Sequence, residues 1–406
     1  MKHRLITLVL LSVFAGTVVP ASVSGQESRE WLKGVAALQQ KNFREAADLL
    51  TRAQVPAGDA LKATLFRGEA LMLAGDYDGA LEAFYLADQK SPGISSLWIS
   101  RTYTLAGNPQ KALAWLRTHL QSPWRQSRKV IVMDTILSRL EDTPGWRDLW
   151  KNDWYPEKEK RMYEVDFSLA QEQFREAQNQ VESLISRYGD DPGLLTLRAK
   201  VYTRMGKPEA AVKDYRKALQ TISGDTAALS GLAVAEEKLR QYPEAIDSWT
   251  IILKTAPERF DLLIKRAEAY ARNGQFEKAI SDLQQYLSYF PESTETLFHM
   301  GNYAVEAGKY TSAMRYYSQV IDRDATSPVY FVARADAYMK ARTYRYAAAD
   351  YSMALDLDPT NGDVYLRRGQ ALLKTRQKKE ACFDFKQALH YGKKEAVTWL
   401  QEYCHY

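Results

Sequence analysis

The chain is predicted to be all-α, a stack of helical hairpins, and two observations carry that prediction. From Pro192 onward the sequence repeats every 34 residues without an insertion, with units starting at Pro192, Thr226, Phe260, Thr294, Pro328 and Gly362. The twentieth residue of every unit is alanine: Ala211, Ala245, Ala279, Ala313, Ala347 and Ala381. A fixed period of this length marks a repeat array, in which one hairpin cannot bury its apolar face alone and neighbours must stack.

Each unit is long enough for two helices of about a dozen residues joined by a short turn. The eighth residue is small throughout: Ala199, Ala233, Ala267, Gly301, Ala335 and Gly369. The twenty-fourth is large: Tyr215, Trp249, Leu283, Tyr317, Tyr351 and Phe385. Antiparallel helices approach closely only where side chains are small, so positions eight and twenty mark the contact and position twenty-four fills the space beside it. Three turns carry Gly206, Gly274 and Gly308, and glycine accepts the positive φ of a helix end without strain. Pro257, Pro291 and Pro359 close three units.

Small residues at eight and twenty, an aromatic near twenty-four and a closing proline resemble the tetratricopeptide repeat (TPR) family. The resemblance implies a solenoid of about ten hairpins wound into a right-handed superhelix. It also implies a concave groove lined by the first helices and a protein or peptide as ligand. The family's motif is structural and brings no catalytic residue with it.

The N-terminal part carries the signature more loosely. Gly34 with Ala46 and Leu50, Gly68 with Ala80, Phe84 and Pro92, and Tyr103 with Ala112 and Leu116 mark three units. Ala177 lies one period before Ala211, so a degenerate unit starts near Lys158. The stretch between does not fit. Val130, Met133, Ile136, Leu137 and Leu140 recur at helical spacing, and Trp146, Trp150 and Trp154 share one face if the helix runs through them. That stripe is read as a core seam between two arrays, with an exposed aromatic docking patch as the alternative. The expected organisation is a signal peptide over 1–25, an N-terminal TPR-like array over 26–126, an irregular Trp-rich helical hairpin over 127–157, a C-terminal TPR array over 158–393 and a capping helix over 394–406.

Export is expected from the N-terminus. Lys2 and Arg4 precede an apolar run from Leu5 to Val19, and small residues lead to Gly25, after which cleavage is placed. The run is short for a membrane span, and later apolar stretches are broken by charges. The periplasm is the expected compartment, with secretion as the alternative. The formal charge of +5 falls to about +3 once the segment is removed, too mild for nucleic-acid binding. Only two cysteines are present, Cys382 and Cys404, too few for a disulfide framework or a zinc site. They form a candidate disulfide in an oxidising compartment, because a terminal cap helix would stack beside Cys382.

No phosphate loop, nucleophile elbow, H-E-x-x-H or C-x-x-C is present, and none of the five histidines pairs with another His or Cys at metal-ligand spacing. Neither catalysis, a cofactor nor a metal is therefore expected.

Partner residues are carried over from the family, whose groove is lined by positions five, nine, twelve and thirteen. Here those positions give apolar Ile264, Phe298, Val305, Val332, Met339, Leu366 and Leu373, with Asn302, Asp336 and Gln370 as polar rungs. Such a surface suits an amphipathic helix or an extended apolar peptide. The competing reading is that these side chains pack one first helix against the next. Position thirteen adds a basic ladder of Arg204, Lys238, Arg272, Lys340 and Lys374. It would hold acidic groups, or would simply place cations at helix C-termini. The family's chaperone-tail clamp is not recognisable, since Phe298 and Val332 stand where cations would be needed. The expected function is a non-catalytic scaffold for an envelope or secretion partner, with a chaperone-like binder of exported polypeptides as the alternative.

Overall fold

A computed structural model describes residues 30–404, all-helical throughout; the expected signal segment and Tyr406 lie outside them. Among the described residues the helices form ten hairpins, an irregular insert after the third, and a terminal helix. The hairpins before the insert are α1 (Glu30–Gln39) with α2 (Phe43–Arg52), α3 (Ala60–Ala74) with α4 (Tyr77–Lys90), and α5 (Ser96–Leu105) with α6 (Pro109–Gln121). In the insert lie α7 (Arg128–Val132), a 3-10 turn (Leu137–Leu140) and α8 (Pro144–Leu149). The array resumes with α9 (Glu157–Ala170) and α10 (Phe174–Tyr188), α11 (Pro192–Arg204) and α12 (Pro208–Thr221), and α13 (Thr226–Lys238) and α14 (Tyr242–Thr255). Then come α15 (Phe260–Arg272) and α16 (Phe276–Leu287), α17 (Thr294–Glu306) and α18 (Tyr310–Arg323), α19 (Pro328–Lys340) and α20 (Tyr344–Leu357), and α21 (Gly362–Lys374) and α22 (Lys378–His390). The terminal helix is α23 (Ala396–Tyr403). Contacts divide the chain into two compact units, one ending at Leu262 and the other starting at Leu263.

Local chemistry sets the helix starts. Asp191, Asp225, Ser293 and Asn361 each accept a hydrogen bond from an amide of the first turn, satisfying donors that a helix leaves unpaired. Pro192 and Pro328 sit in the first turn, where no amide donor is needed. At the fifteenth position of every unit the backbone turns left-handed. Gly206, Gly274 and Gly308 have φ near 70°, and Arg240, Arg342 and Arg376 adopt φ of 59°, 60° and 63° despite their side chains.

The core runs as a chain of local clusters, one passing into the next along each unit. The small-to-large contact is literal. A Cβ on Gly301 would lie 2.4 Å from the Tyr317 ring, and one on Gly369 would lie 2.5 Å from Phe385. In the third hairpin this small position is Ser100. Ser100 is fully buried and its hydroxyl donates to the Ala112 carbonyl at 2.8 Å.

Position seven of one helix is tied to position twenty-three of the next by paired charges. Arg198 grips Asp214, Arg266 grips Asp282, Arg334 grips Asp350 and Arg368 grips Asp384, each through Nε and Nη2 to the two carboxylate oxygens at 2.6–2.8 Å. Two parallel bonds on a planar fork fix angle as well as distance.

The insert is helical and irregular, and the helical run expected from Val130 to Leu140 is broken within it. Asp134 accepts from the amides of Ile136 at 2.8 Å and Leu137 at 3.0 Å, which diverts them from helical partners and ends α7. Helix α8 ends at Leu149, so the three tryptophans do not share one helical face. Trp146 is buried among Leu97, Leu116 and Leu140, and Trp150 and Trp154 pack on that cluster half-buried. The Trp154 indole turns back to donate to the Leu149 carbonyl at 2.8 Å.

Within the first unit, Lys62 of α3 reaches the turn after α14. Its ammonium donates to the Thr255 carbonyl at 2.6 Å and lies 3.4 Å from Glu258, and both charged side chains are buried.

Candidate functional site

All ten residues assigned to the groove are half-buried, but they divide by role. Ile264 and Phe298 pack on the core cluster built around Ala279, Leu297 and Tyr317, and Val332 and Leu366 pack on the one around Ala347 and Phe385. Phe298 lies 5.7 Å from the Tyr317 ring and 5.3 Å from Tyr330. These position-five side chains therefore join hairpins and leave little apolar surface for a ligand.

The polar rungs and the residues beyond them line two clefts in the second unit. One, of about 700 Å³, lies across three successive first helices: Glu268 and Arg272 of α15, His299, Asn302, Val305 and Glu306 of α17, and Asp336 and Lys340 of α19. Its polar rungs are held from below. The Tyr317 hydroxyl donates to Asn302 at 2.7 Å, and the Tyr351 hydroxyl donates to Asp336 at 2.6 Å. Burial and the nearby Asp336 carboxylate raise the pKa of Tyr317, so it stays a neutral donor. Arg367 adds a bond to the other Asp336 oxygen at 2.6 Å. The rungs are thus preset in orientation, while at the margin Lys340 is exposed and His299 lies 3.8 Å from the Glu295 carboxylate and stacks on Tyr303. A second cleft of about 560 Å³ takes in Met339, Gln370, Leu373 and Lys374.

The basic ladder also divides. Arg204 lies 3.9 Å from Glu172 and over the Phe174 ring, and the Lys238 ammonium donates to the Thr203 carbonyl at the end of α11 at 2.9 Å. A cation on the last carbonyls of a helix is favourable for structural reasons alone. Arg272, Lys340 and Lys374 instead line the clefts. Cys382 and Cys404 are joined in a disulfide with Cα atoms 5.7 Å apart.

The first unit holds a buried set of perturbed titratable groups. Glu69, Arg101 and His119 are buried, and Arg101 bonds Asp134 at 2.6 Å through Nε. Burial raises the Glu69 pKa to about 8, against the pull of Arg101. Burial and then Arg101 lower that of His119 to about 3. The Gln126 amide donates to His119 Nε2 at 2.9 Å, which puts the ring proton on Nδ1 facing Ser96 Oγ at 3.2 Å. Perturbed groups of this kind can mark active sites, but these are sealed in the core, where a polar network fixes packing. Among the described residues no group of three or more His, Cys, Asp or Glu side chains could hold a metal, and no helix is long and apolar enough to cross a membrane.

The tetratricopeptide repeat model matches residues 32–93, 168–228, 196–259, 230–293, 264–328 and 332–390. Among curated proteins the chain is 25% identical over 118 residues to tetratricopeptide repeat protein 8 of Caenorhabditis elegans. That match takes in 29% of this chain and 23% of the relative's length. Among solved structures it is similar to the C-terminal part of a TPR repeat-containing protein from Cytophaga hutchinsonii. The TM-score is 0.52 at 17% identity, over 59% of this chain and 99% of that one. A tetratricopeptide repeat protein from Parabacteroides merdae gives 0.43 at 21% identity, over 60% and 96% of the two chains.

Proposed function

This chain belongs to the tetratricopeptide repeat family, whose members bind proteins and peptides, and on that premise we propose that it is a non-catalytic scaffold for a partner polypeptide. The partner segment lies in the larger cleft of the second unit, across α15, α17 and α19. The observation that supports this placement is the set of preoriented polar rungs, Asn302 and Asp336, each fixed by a buried tyrosine hydroxyl. Rungs that cannot swing away lose little entropy on binding, which favours one matching ligand over many. Position-five side chains committed to packing also speak for a dedicated partner and against the chaperone-like reading.

In this reading the arrays over 26–126 and 158–393 are joined by the segment over 127–157, and the protein works in the cell envelope, in the periplasm. The basic and apolar N-terminal run and the Cys382–Cys404 disulfide both fit export to an oxidising compartment.

The test is a crosslinked pull-down from an envelope fraction with wild type and His299→Ala/Lys340→Glu. Both substituted residues lie at the cleft margin, outside the cores. One dominant partner lost from the variant is the expected result. A broad set of exported polypeptides would favour the chaperone reading, and a dominant partner kept by the variant would move the site elsewhere.

A further inference from the structure

The smaller cleft, at the C-terminal end of the second unit, is not used by the reading above. Its interior is mostly apolar: Met339 and Leu373 line it with Trp399 and Tyr403 of α23, and Gln370 is the one polar, uncharged side chain among them. Its mouth carries Lys374, Arg376 and Lys378, all exposed. Among the described residues none of these three cations has an ion-pair partner. Like charges crowded at the edge of an apolar cavity repel one another until a ligand of opposite charge arrives.

The aromatic wall depends on a fragile element. Helix α23 has eight residues, too few to hold together without tertiary support. Trp399 stacks on Phe385 of α22 at 5.6 Å and on Tyr403 at 5.7 Å. The covalent hold is the disulfide, which joins Cys404 just past the end of α23 to Cys382 inside α22. Both aromatic side chains of the wall therefore sit between the buried start of α23 at Ala396 and a crosslinked end.

We propose that this cleft docks an acidic peptide segment bearing a large apolar side chain, and that the Cys382–Cys404 disulfide makes the site competent by holding its aromatic wall in place. The carboxylates meet the three cations at the mouth while the apolar side chain enters between Leu373 and Trp399. The wall is complete only after two thiols have been oxidised, so the site opens for use in an oxidising compartment and stays unformed before export. The site is distinct from the larger cleft and stands or falls separately from it.

The probe is a fluorescein-labelled peptide with glutamates flanking a central Leu-Phe pair, titrated with the full chain by fluorescence polarisation. A peptide with lysines in place of the glutamates is the control. The oxidised protein is expected to bind the acidic peptide and not the basic one. Lys374→Glu/Lys378→Glu, both exposed, is expected to weaken binding by about tenfold or more. Dithiothreitol breaks the S–S bond, supplies two electrons and two protons to give two thiols, and itself becomes a cyclic disulfide. Binding is expected to weaken to a similar degree on that treatment, and also in Cys404→Ser, with helicity by circular dichroism retained. Equal affinity for the two peptides, or full affinity in the charge-reversed variant, would overturn the acidic-peptide site. Equal affinity in the oxidised and reduced protein would overturn the role of the disulfide, and stronger binding to anionic phosphatidylglycerol vesicles than to the peptide would reassign the cations to a lipid surface. His299→Ala, at a residue that lines only the larger cleft, leaves this titration unchanged, so failure here is told apart from failure of the larger cleft.

Discussion

Arg334 holds Asp350 by two parallel hydrogen bonds, Nε to Oδ2 at 2.7 Å and Nη2 to Oδ1 at 2.8 Å, and its remaining nitrogen donates to Ser318 of the preceding hairpin at 2.9 Å. One guanidinium thereby fixes the angle inside its own hairpin and the spacing to the hairpin before it. Arg368 repeats the arrangement with Asp384 and Ser352. Removing one partner leaves the other charge partly buried and unpaired, so Asp350→Ala is expected to cost about 3 kcal/mol. Arg334→Leu/Asp350→Leu is expected to recover most of that loss, because two apolar side chains need no partner. Urea denaturation of the three variants decides it; a double variant as weak as the single one would show that the pair holds the hairpin by more than mutual neutralisation.

Gly301 lies beneath Tyr317, whose hydroxyl is pinned to Asn302. The ring cannot retreat without breaking that bond. Gly301→Ala is therefore expected to destabilise the chain by about 1–3 kcal/mol, against the usual gain from replacing a helical glycine. The same substitution should also weaken partner binding, since it frees a polar rung. A variant as stable as wild type would mean the ring shifts at no cost.

Arg342 occupies a left-handed turn, with φ of 60°, at the position where Gly308 stands one repeat earlier. An L side chain is disfavoured there by roughly 1 kcal/mol or more, offset in part by the extra freedom of glycine in the unfolded chain. Arg342→Gly is expected to raise the melting temperature slightly, and a drop would show that the arginine makes a compensating contact.

Glu69 and His119 set opposite limbs of a pH profile. The folded-state pKa of Glu69, about 8, lies above its ordinary 4.5, so the unfolded chain binds fewer protons between these values. Its stabilising contribution is full below about 4.5 and is lost as pH rises through about 8. His119, lowered from 6.5 to about 3, contributes fully above about 6.5 and loses its contribution as pH falls toward 3. Thermal melts across pH should show Glu69→Gln flattening the alkaline limb and His119→Gln flattening the acid limb. Unchanged slopes would mean that water reaches both groups.

The hairpins were legible because packing writes a period into the sequence: alanine at position twenty, a small residue at eight and a large one at twenty-four have no freedom once two helices touch. The Arg198–Asp214 spacing of sixteen residues recurs at Arg266, Arg334 and Arg368, and is visible in the sequence to a reader who looks for charge as well as size. A repeat defined by side-chain size alone does not show it. The irregular insert was legible too, but not where its helices break: the helical spacing of Val130, Met133 and Leu137 says nothing about Asp134, whose carboxylate captures the amides a helix would need. The candidate groove was half legible. Position within the repeat located Asn302, Val305 and Asp336 at a cleft, but not that Phe298 and Leu366 would turn into the core, since that depends on what the neighbouring hairpin offers.

The reach of Lys62 to Thr255 spans 193 residues of sequence. In an array whose hairpins touch only their neighbours, the ends can fray one hairpin at a time, as a zipper opens. This bridge removes that option, because α3 cannot peel away without stranding Glu258, a carboxylate only 3% exposed. The first unit must then melt as one block, and amide hydrogens at its N-terminal end should exchange as slowly as those near α14. The same bridge closes a very long loop, so it forms late in folding, after the local hairpins have met the entropy of closure piece by piece.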